Sequence, residues 1–213
     1  MALYKTITVN NDTKVLIWKI EESFEALNRD VKLTNHCQER LDGMRSEIHQ
    51  RGFLSVRHLL AEFGYTDFDL YYDEKGKPHL KDGKHISITH SFQFSAIIVS
   101  ASTPVGIDIE MQRDKIVRIA HKFTPLEEYR TIANHDALVR KLTIVWGGKE
   151  SIYKVYAEKG LSFLKHIDID DFSMEVSHTK GTVYYGKDTA KYALDFLEFD
   201  GFTCVYALEE TRS

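Results

Sequence analysis

The segment Gly106-Ile107-Asp108-Ile109-Glu110 leaves this chain little choice of local structure. Val105, Ile107 and Ile109 alternate with Gly106, Asp108 and Glu110, the period-2 pattern of a strand. The isoleucines face a core, and the two carboxylates share the opposite face. Residues two apart in a strand have Cα atoms roughly 6.5 Å apart, so both side chains converge on one ion. A hard cation such as Mg²⁺ takes oxygen ligands at about 2.0–2.1 Å and keeps waters and phosphate oxygens around it. A four-ligand zinc site would instead call for His or Cys. Taken alone, Asp-x-Glu is equally the solvated face of an ordinary strand.

A second segment adds the missing chemistry. Trp146-Gly147-Gly148-Lys149-Glu150-Ser151-Ile152-Tyr153-Lys154 reads as part of a helix. Leu142, Val145, Trp146, Ile152, Tyr153 and Tyr156 give it an apolar face at approximately helical spacing. Glu150 and Lys154 lie one turn apart on the same side. Lys149 is rotated from Glu150 by about 100° and approaches the same ligand from the flank. Alone, Glu150 and Lys154 are a surface pair contributing a few tenths of a kcal/mol to the helix. Gly147-Gly148 is unusual, because each glycine costs about 1 kcal/mol relative to alanine inside a helix. Either the helix starts after them, or its backbone comes close to a neighbour there. A Walker phosphate loop is excluded: the upstream glycine is missing, and Glu150 stands where Ser or Thr is required.

In this order and with these spacings, the two segments resemble the 4′-phosphopantetheinyl transferases, specifically the longer, surfactin-synthetase-activating type. That family carries a G-[IV]-D-[IV]-E strand and, further on, a W-x-x-K-E-[SA]-x-x-K helix. Gly76-Lys77-Pro78, Ile86-Ser87-Ile88-Thr89-His90-Ser91 and Lys159-Gly160-Leu161-Ser162 resemble further family segments in the family's order. The likeness covers about residues 50–165. Gly147 departs from the Ser, Thr or Cys usual at its place, and Thr89 replaces the usual Ser.

The resemblance implies an α+β fold of two similar α/β halves related by a pseudo-twofold, with the active site in the cleft between them. The expected halves are residues 1–105, with the nucleotide contacts, and 106–213, with the metal-binding carboxylates and the long helix. It further implies an Mg²⁺-dependent transfer of 4′-phosphopantetheine from coenzyme A to a serine of an apo acyl- or peptidyl-carrier protein, releasing adenosine 3′,5′-bisphosphate. Asp108, Glu110 and Glu150 would hold the metal. Lys149 and Lys154 would add positive charge near the transferring group, and Lys77, beside Pro78, would reach the phosphates from the other side. Thr89, His90 and Ser91 would meet the nucleotide. Arg57, with Arg51 beside it on an early helix, would hold the 3′-phosphate, since arginine's planar fork suits that group. Glu150 or Glu127 would take the serine proton, directly or through a metal-bound water.

Composition excludes other classes. A net charge of −4 argues against a general nucleic-acid binder. No apolar run approaches a membrane span, and the first residues lack the features of a signal peptide. Cys37 and Cys204 form no disulfide framework and read as buried free thiols of a reducing cytoplasm. A monomer is expected, because the longer type carries both halves of its site in one chain. Two alternatives stay open: a non-catalytic coenzyme A-binding module, and another Mg²⁺-dependent phosphoryl-transfer enzyme.

Periodicity predicts strands at Tyr4–Val9 and Val15–Ile20, helical structure through about 35–63, and strands near 68–73, 86–90, 95–100 and 106–110. Helices are expected at about 115–122, 125–133 and 136–158. The tail alternates aromatic and polar residues in Ser173–Val176, Thr182–Tyr185, Tyr192–Phe199 and Thr203–Leu208, as an antiparallel meander does.

Overall fold

The computed structural model describes residues 3–125, 129, 132 and 134–212. It is a mixed α+β structure that divides into two compact units, residues 1–103 and 104–213.

The first unit opens with β1 (Leu3–Thr8) and β2 (Thr13–Lys19), followed by the short α1 (Phe24–Asn28). The helical stretch expected through 35–63 is two helices, α2 (Asn35–Asp42) and α3 (Glu47–Glu62). Gly43 ends α2, its N–H closing on the Glu39 carbonyl at 3.0 Å, while the Thr34 hydroxyl caps its start. A small hairpin follows, β3 (Leu70–Tyr72) paired with β4 (Pro78–Leu80). Then β5 (His85–Ser91) and β6 (Phe94–Ser100) complete an antiparallel sheet of order β1-β2-β6-β5. Helix α3 buries Phe53, Val56, Leu59 and Leu60 against Leu16, Trp18, Ile97 and Val99 of that sheet. Every residue of β6 is buried, Ser95 and Ser100 included, so this central strand does not alternate between a core face and a solvated one.

The second unit begins with β7 (Val105–Met111), which carries the Asp-x-Glu pair. After α4 (Lys115–Ile119) comes the long α5 (His135–Tyr156), capped by the Asn134 side chain and closed by Ala157 in the left-handed region. A short α6 (Phe163–His166) leads into β8 (Ile167–Ile169), β9 (His178–Tyr185), β10 (Asp188–Phe199) and β11 (Phe202–Arg212). The five strands form an antiparallel sheet of order β7-β11-β10-β9-β8. Three of the four expected meander strands fall within β9, β10 and β11. Ser173–Val176 does not form a strand: the Val176 N–H returns to the Ser173 carbonyl at 3.3 Å, making a turn. The helix expected at 125–133 falls largely outside the described residues. Among those described, no helix is long and apolar enough to cross a membrane.

Candidate active site

The site is assembled where α5 lies on β7. The alternation in β7 is as expected, but the carboxylate face is not solvated. Gly106, Asp108 and Glu110 face α5, and Asp108 is only 6 % exposed. The other face, with Val105, Ile107 and Ile109, is buried as well. Two glycines permit the close approach. A Cβ on Gly106 would lie 2.0 Å from the Ser151 carbonyl oxygen, inside any van der Waals contact. A Cβ on Gly147 would lie 2.8 Å from Val205 Cγ2. The helix therefore runs straight through Gly147-Gly148, because its backbone comes close to the sheet there. The Ser151 hydroxyl, donating to the Val205 carbonyl at 2.9 Å, ties the same turn to β11.

This packing places Glu150 in the field of the strand's two acids. Burial and the neighbouring Asp108 push Glu150 up to about 7; Glu110 adds to the rise and Lys154 opposes it. Burial and Asp108 likewise push Glu110 up to about 6, against the pull of Arg113, Trp146 and Lys154. The Lys154 ammonium donates to Asp108 Oδ1 at 2.8 Å and to the Ile107 carbonyl at 2.7 Å. Asp108, bonded to the Lys154 ammonium, thus adds to the rise that burial produces in both Glu110 and Glu150. Among the described residues, no three acidic, histidine or cysteine side chains are gathered closely enough to hold a metal ion as they stand. The donor set itself is all oxygen, mutually repelling and partly buried, which fits a hard divalent cation and not zinc. A cavity of about 150 Å³ opens beside it, lined among others by Glu110, Arg113, Lys115 and Trp146.

The other expected residues divide into two groups. Lys149 does not flank Glu150 as a surface cation. It is 3 % exposed, and its ammonium donates to the carbonyls of Phe123, Phe163 and Ile167 at 2.7, 2.8 and 2.6 Å. Arg57 is buried too. It bonds Asp67 through Nε at 3.0 Å and Nη2 at 2.9 Å, the Phe53 carbonyl at 3.1 Å and Cys37 Sγ at 3.2 Å, and stacks over the Phe53 ring. Burial alone would raise the Asp67 carboxyl, but the Thr34 N–H and hydroxyl and the Arg57 charge hold it below its ordinary value. Both cations, expected at phosphates, are turned inward here, so neither is carried into the ligand set below. Their positions were readable. Lys149 falls on the stripe of Leu142, Val145, Ile152 and Tyr156, and Arg57 on that of Phe53 and Leu60, the core faces of their helices.

Of the remaining residues of the first unit, Arg51 lies on α3 and the others at strand ends or a turn. Arg51 reaches the Ile20 carbonyl at 3.1 Å. The Lys77 N–H closes the β3–β4 turn on Asp73 Oδ1 at 2.9 Å, and Pro78 starts β4. Thr89, His90 and Ser91 end β5, with the His90 ring against Gly52 and 6.1 Å from that of His49. Glu127 lies outside the described residues.

Sequence reasoning gave Trp146 no role, yet it lines the same cavity as Glu110. Its ring is held between Phe123, edge-on at 5.1 Å, and Phe163, at 5.4 Å. Phe163 in turn meets Tyr153 at 5.6 Å. Only the spacing of Trp146 four residues before Glu150 pointed to this position.

Residues 104–207 match the 4′-phosphopantetheinyl transferase superfamily. The chain is similar to the 4′-phosphopantetheinyl transferase gsp of Aneurinibacillus migulanus, 29% identical over 137 residues, covering 62% of this chain and 54% of that protein. It is 35% identical over 107 residues to a 4′-phosphopantetheinyl transferase of Bacillus subtilis, covering 48% of this chain and 45% of that one. With the 4′-phosphopantetheinyl transferase Sfp of Bacillus subtilis (strain 168) it shares 28% over 152 residues, 70% of this chain and 63% of the relative. The matches thus span about half of the first two relatives and under two thirds of the third.

Proposed function

We propose that this chain, which matches the 4′-phosphopantetheinyl transferase superfamily over residues 104–207, moves phosphopantetheine from coenzyme A to a serine of an apo acyl- or peptidyl-carrier protein. The observation that carries the reading is the cluster of Asp108, Glu110 and Glu150 with Lys154 bonded to Asp108. A group of like charges held together at a helix–strand contact destabilises the fold and is a mark of a functional site. Residues with just these identities are what a pyrophosphate-cleaving site needs.

In the proposed reaction the carrier serine oxygen bonds to the β-phosphorus of coenzyme A. The bond from that phosphorus to the adenosine 3′,5′-bisphosphate leaving group breaks, and the serine proton passes to a base. Mg²⁺ held by Asp108, Glu110 and Glu150 would neutralise the charge that develops on the phosphate oxygens. Glu150 is the first candidate base for that proton, directly or through a metal-bound water. Lys154 orients Asp108 and supplies fixed positive charge to the same face. Glu127 remains the second candidate base. Arg51, Lys77, Pro78, Thr89, His90 and Ser91 are proposed as coenzyme A contacts of the first unit. That both units are variants of one α+β plan, and that the chain acts as a monomer in the cytoplasm, belong to the same proposal.

Intact-mass spectrometry of a panel of apo carrier proteins, incubated with the chain, coenzyme A and Mg²⁺, tests it. A phosphopantetheine-sized gain on the carrier serine, lost with EDTA, is expected. Coenzyme A binding without any gain would replace the proposal with a binding module. Loss of both would leave a different Mg²⁺-dependent phosphoryl enzyme.

A further inference from the structure

Lys149 is an expensive residue for its place. A lysine on the buried stripe of a helix gives up the hydration of its ammonium, a cost that only well-made hydrogen bonds offset. Its three N–H groups meet three carbonyls from three separate segments: Phe123 beyond α4, Phe163 in α6 and Ile167 in β8. Leucine or methionine would pack the stripe but hold none of them, and glutamine has only two donors.

Two of those carbonyls belong to the residues whose rings enclose Trp146. Phe123 meets the indole edge-on, with an interplanar angle of 66°, and Phe163 meets it at 47°. One ammonium therefore fixes the backbone beneath both walls of the tryptophan slot. The indole enclosed there borders the cavity beside the carboxylates, which Glu110 also lines. Trp146, Lys149 and Glu150 come from adjacent turns of α5, so a single stretch of helix supplies the clamp, the ring that flanks Glu110 and a carboxylate. We infer that Lys149 is a positioning residue that sets Glu110 through the Phe123–Trp146–Phe163 stack, without touching coenzyme A. The inference rests on the transferase reading for its consequence in Mg²⁺ binding, and on the hydrogen bonds and ring contacts alone for the coupling of Lys149 to Trp146.

In a Trp18→Phe background Trp146 is the sole tryptophan, since the chain has two. Its emission then reports the slot without any need for turnover. Lys149→Gln is expected to shift that emission to the red and to raise the Mg²⁺ concentration needed for half-maximal transfer by about tenfold, the usual effect of losing a residue that orients a metal ligand. The KM for coenzyme A at saturating Mg²⁺ should stay within about twofold. Trp146→Phe, which underfills the slot between Phe123 and Phe163, should raise the Mg²⁺ requirement similarly. The double variant should be no worse than the more affected single one.

Unchanged Trp146 emission in Lys149→Gln would overturn the inference. So would a rise in the KM for coenzyme A with the Mg²⁺ requirement unmoved, the signature of a direct phosphate contact. If Lys149→Gln fails to fold, Trp146→Phe decides: an unaltered Mg²⁺ requirement rejects the coupling. Failure of transfer to every carrier would sink the transferase reading instead. The emission measurement would still decide whether Lys149 holds the tryptophan slot.

Discussion

The two units of this chain treat buried charge in opposite ways. Each lays one long helix on an antiparallel sheet, and each buries a cation on the inner stripe of that helix. In the first unit the cation is matched. Arg57 bonds Asp67 twice, and Thr34 supplies further donors, so the carboxyl is held below its ordinary value. In the second unit Lys149 is bonded to carbonyls, and the acids lie elsewhere, where burial and the neighbouring Asp108 push Glu110 and Glu150 up to about 6 and 7. A matched pair serves the fold. A cluster of one sign is a liability until something positive binds it, and that difference is why the proposal puts the chemistry in the second unit.

The largest expected effect falls on the cluster. Asp108→Ala or Glu150→Ala should lower transfer by at least about a hundredfold while circular dichroism shows the fold retained. Full turnover in either variant would remove the distinction between the units.

The matched pair should fail in the opposite sense. Arg57→Ala leaves Asp67 buried without its cation and should cost about 3–5 kcal/mol of stability. Urea unfolding followed by Trp18 emission, in a Trp146→Phe background, would read the loss. The KM values for coenzyme A and for dephospho-coenzyme A should change in parallel. A selective loss for coenzyme A would return Arg57 to the 3′-phosphate.

A third variant tests the close approach that creates the cluster. Gly106→Ala must push the Ser151 carbonyl away from β7, since the added carbon would meet it at 2.0 Å. We expect a loss of about 1–3 kcal/mol from overpacking, together with a lower proton affinity of Glu150 as α5 moves off the strand. A variant with wild-type stability would show that the approach is not tight.

The smallest effect is the pH dependence, and its sign differs between units. Glu150 in the folded chain titrates near 7, above its ordinary 4.5, so the native state holds the proton more tightly than the unfolded chain. In EDTA, its contribution to stability should be fully present below the ordinary carboxylate range and lost as pH rises toward 7. Glu110 acts in the same direction up to about 6. Asp67, held low, contributes stability above the ordinary carboxylate range that is lost as pH falls below it. Thermal melts across pH 5 to 8 with EDTA should therefore decline, and Mg²⁺ or Glu150→Gln should flatten the decline. A flat profile in EDTA would mean that the three acids are not coupled.

Much of the fold was legible because it follows from short-range rules. Alternation marked β7 and most of the tail, and helical spacing marked α5 to within a residue or two of its ends. Ser173–Val176 misled because alternation alone does not provide a neighbour to pair with, and the backbone there closes a turn on itself. Gly43 was a visible stop, and the break it makes between α2 and α3 was passed over.

The candidate site was legible as a set of residue types but not as an assignment of roles. The order and spacing of Asp108, Glu110, Glu150 and Lys154 are properties of the chain itself, and so is the chemistry that three carboxylates and an ammonium offer a metal and a phosphate. Which face of β7 the helix covers, that Gly106 and Gly147 let the backbones touch, and that Arg57 and Lys149 turn inward depend on contacts between residues far apart in sequence. A cation looks the same on paper whether it meets a ligand or a buried carbonyl. Only the packing around it sets which partner lies within hydrogen-bond reach, and that partner decides its role.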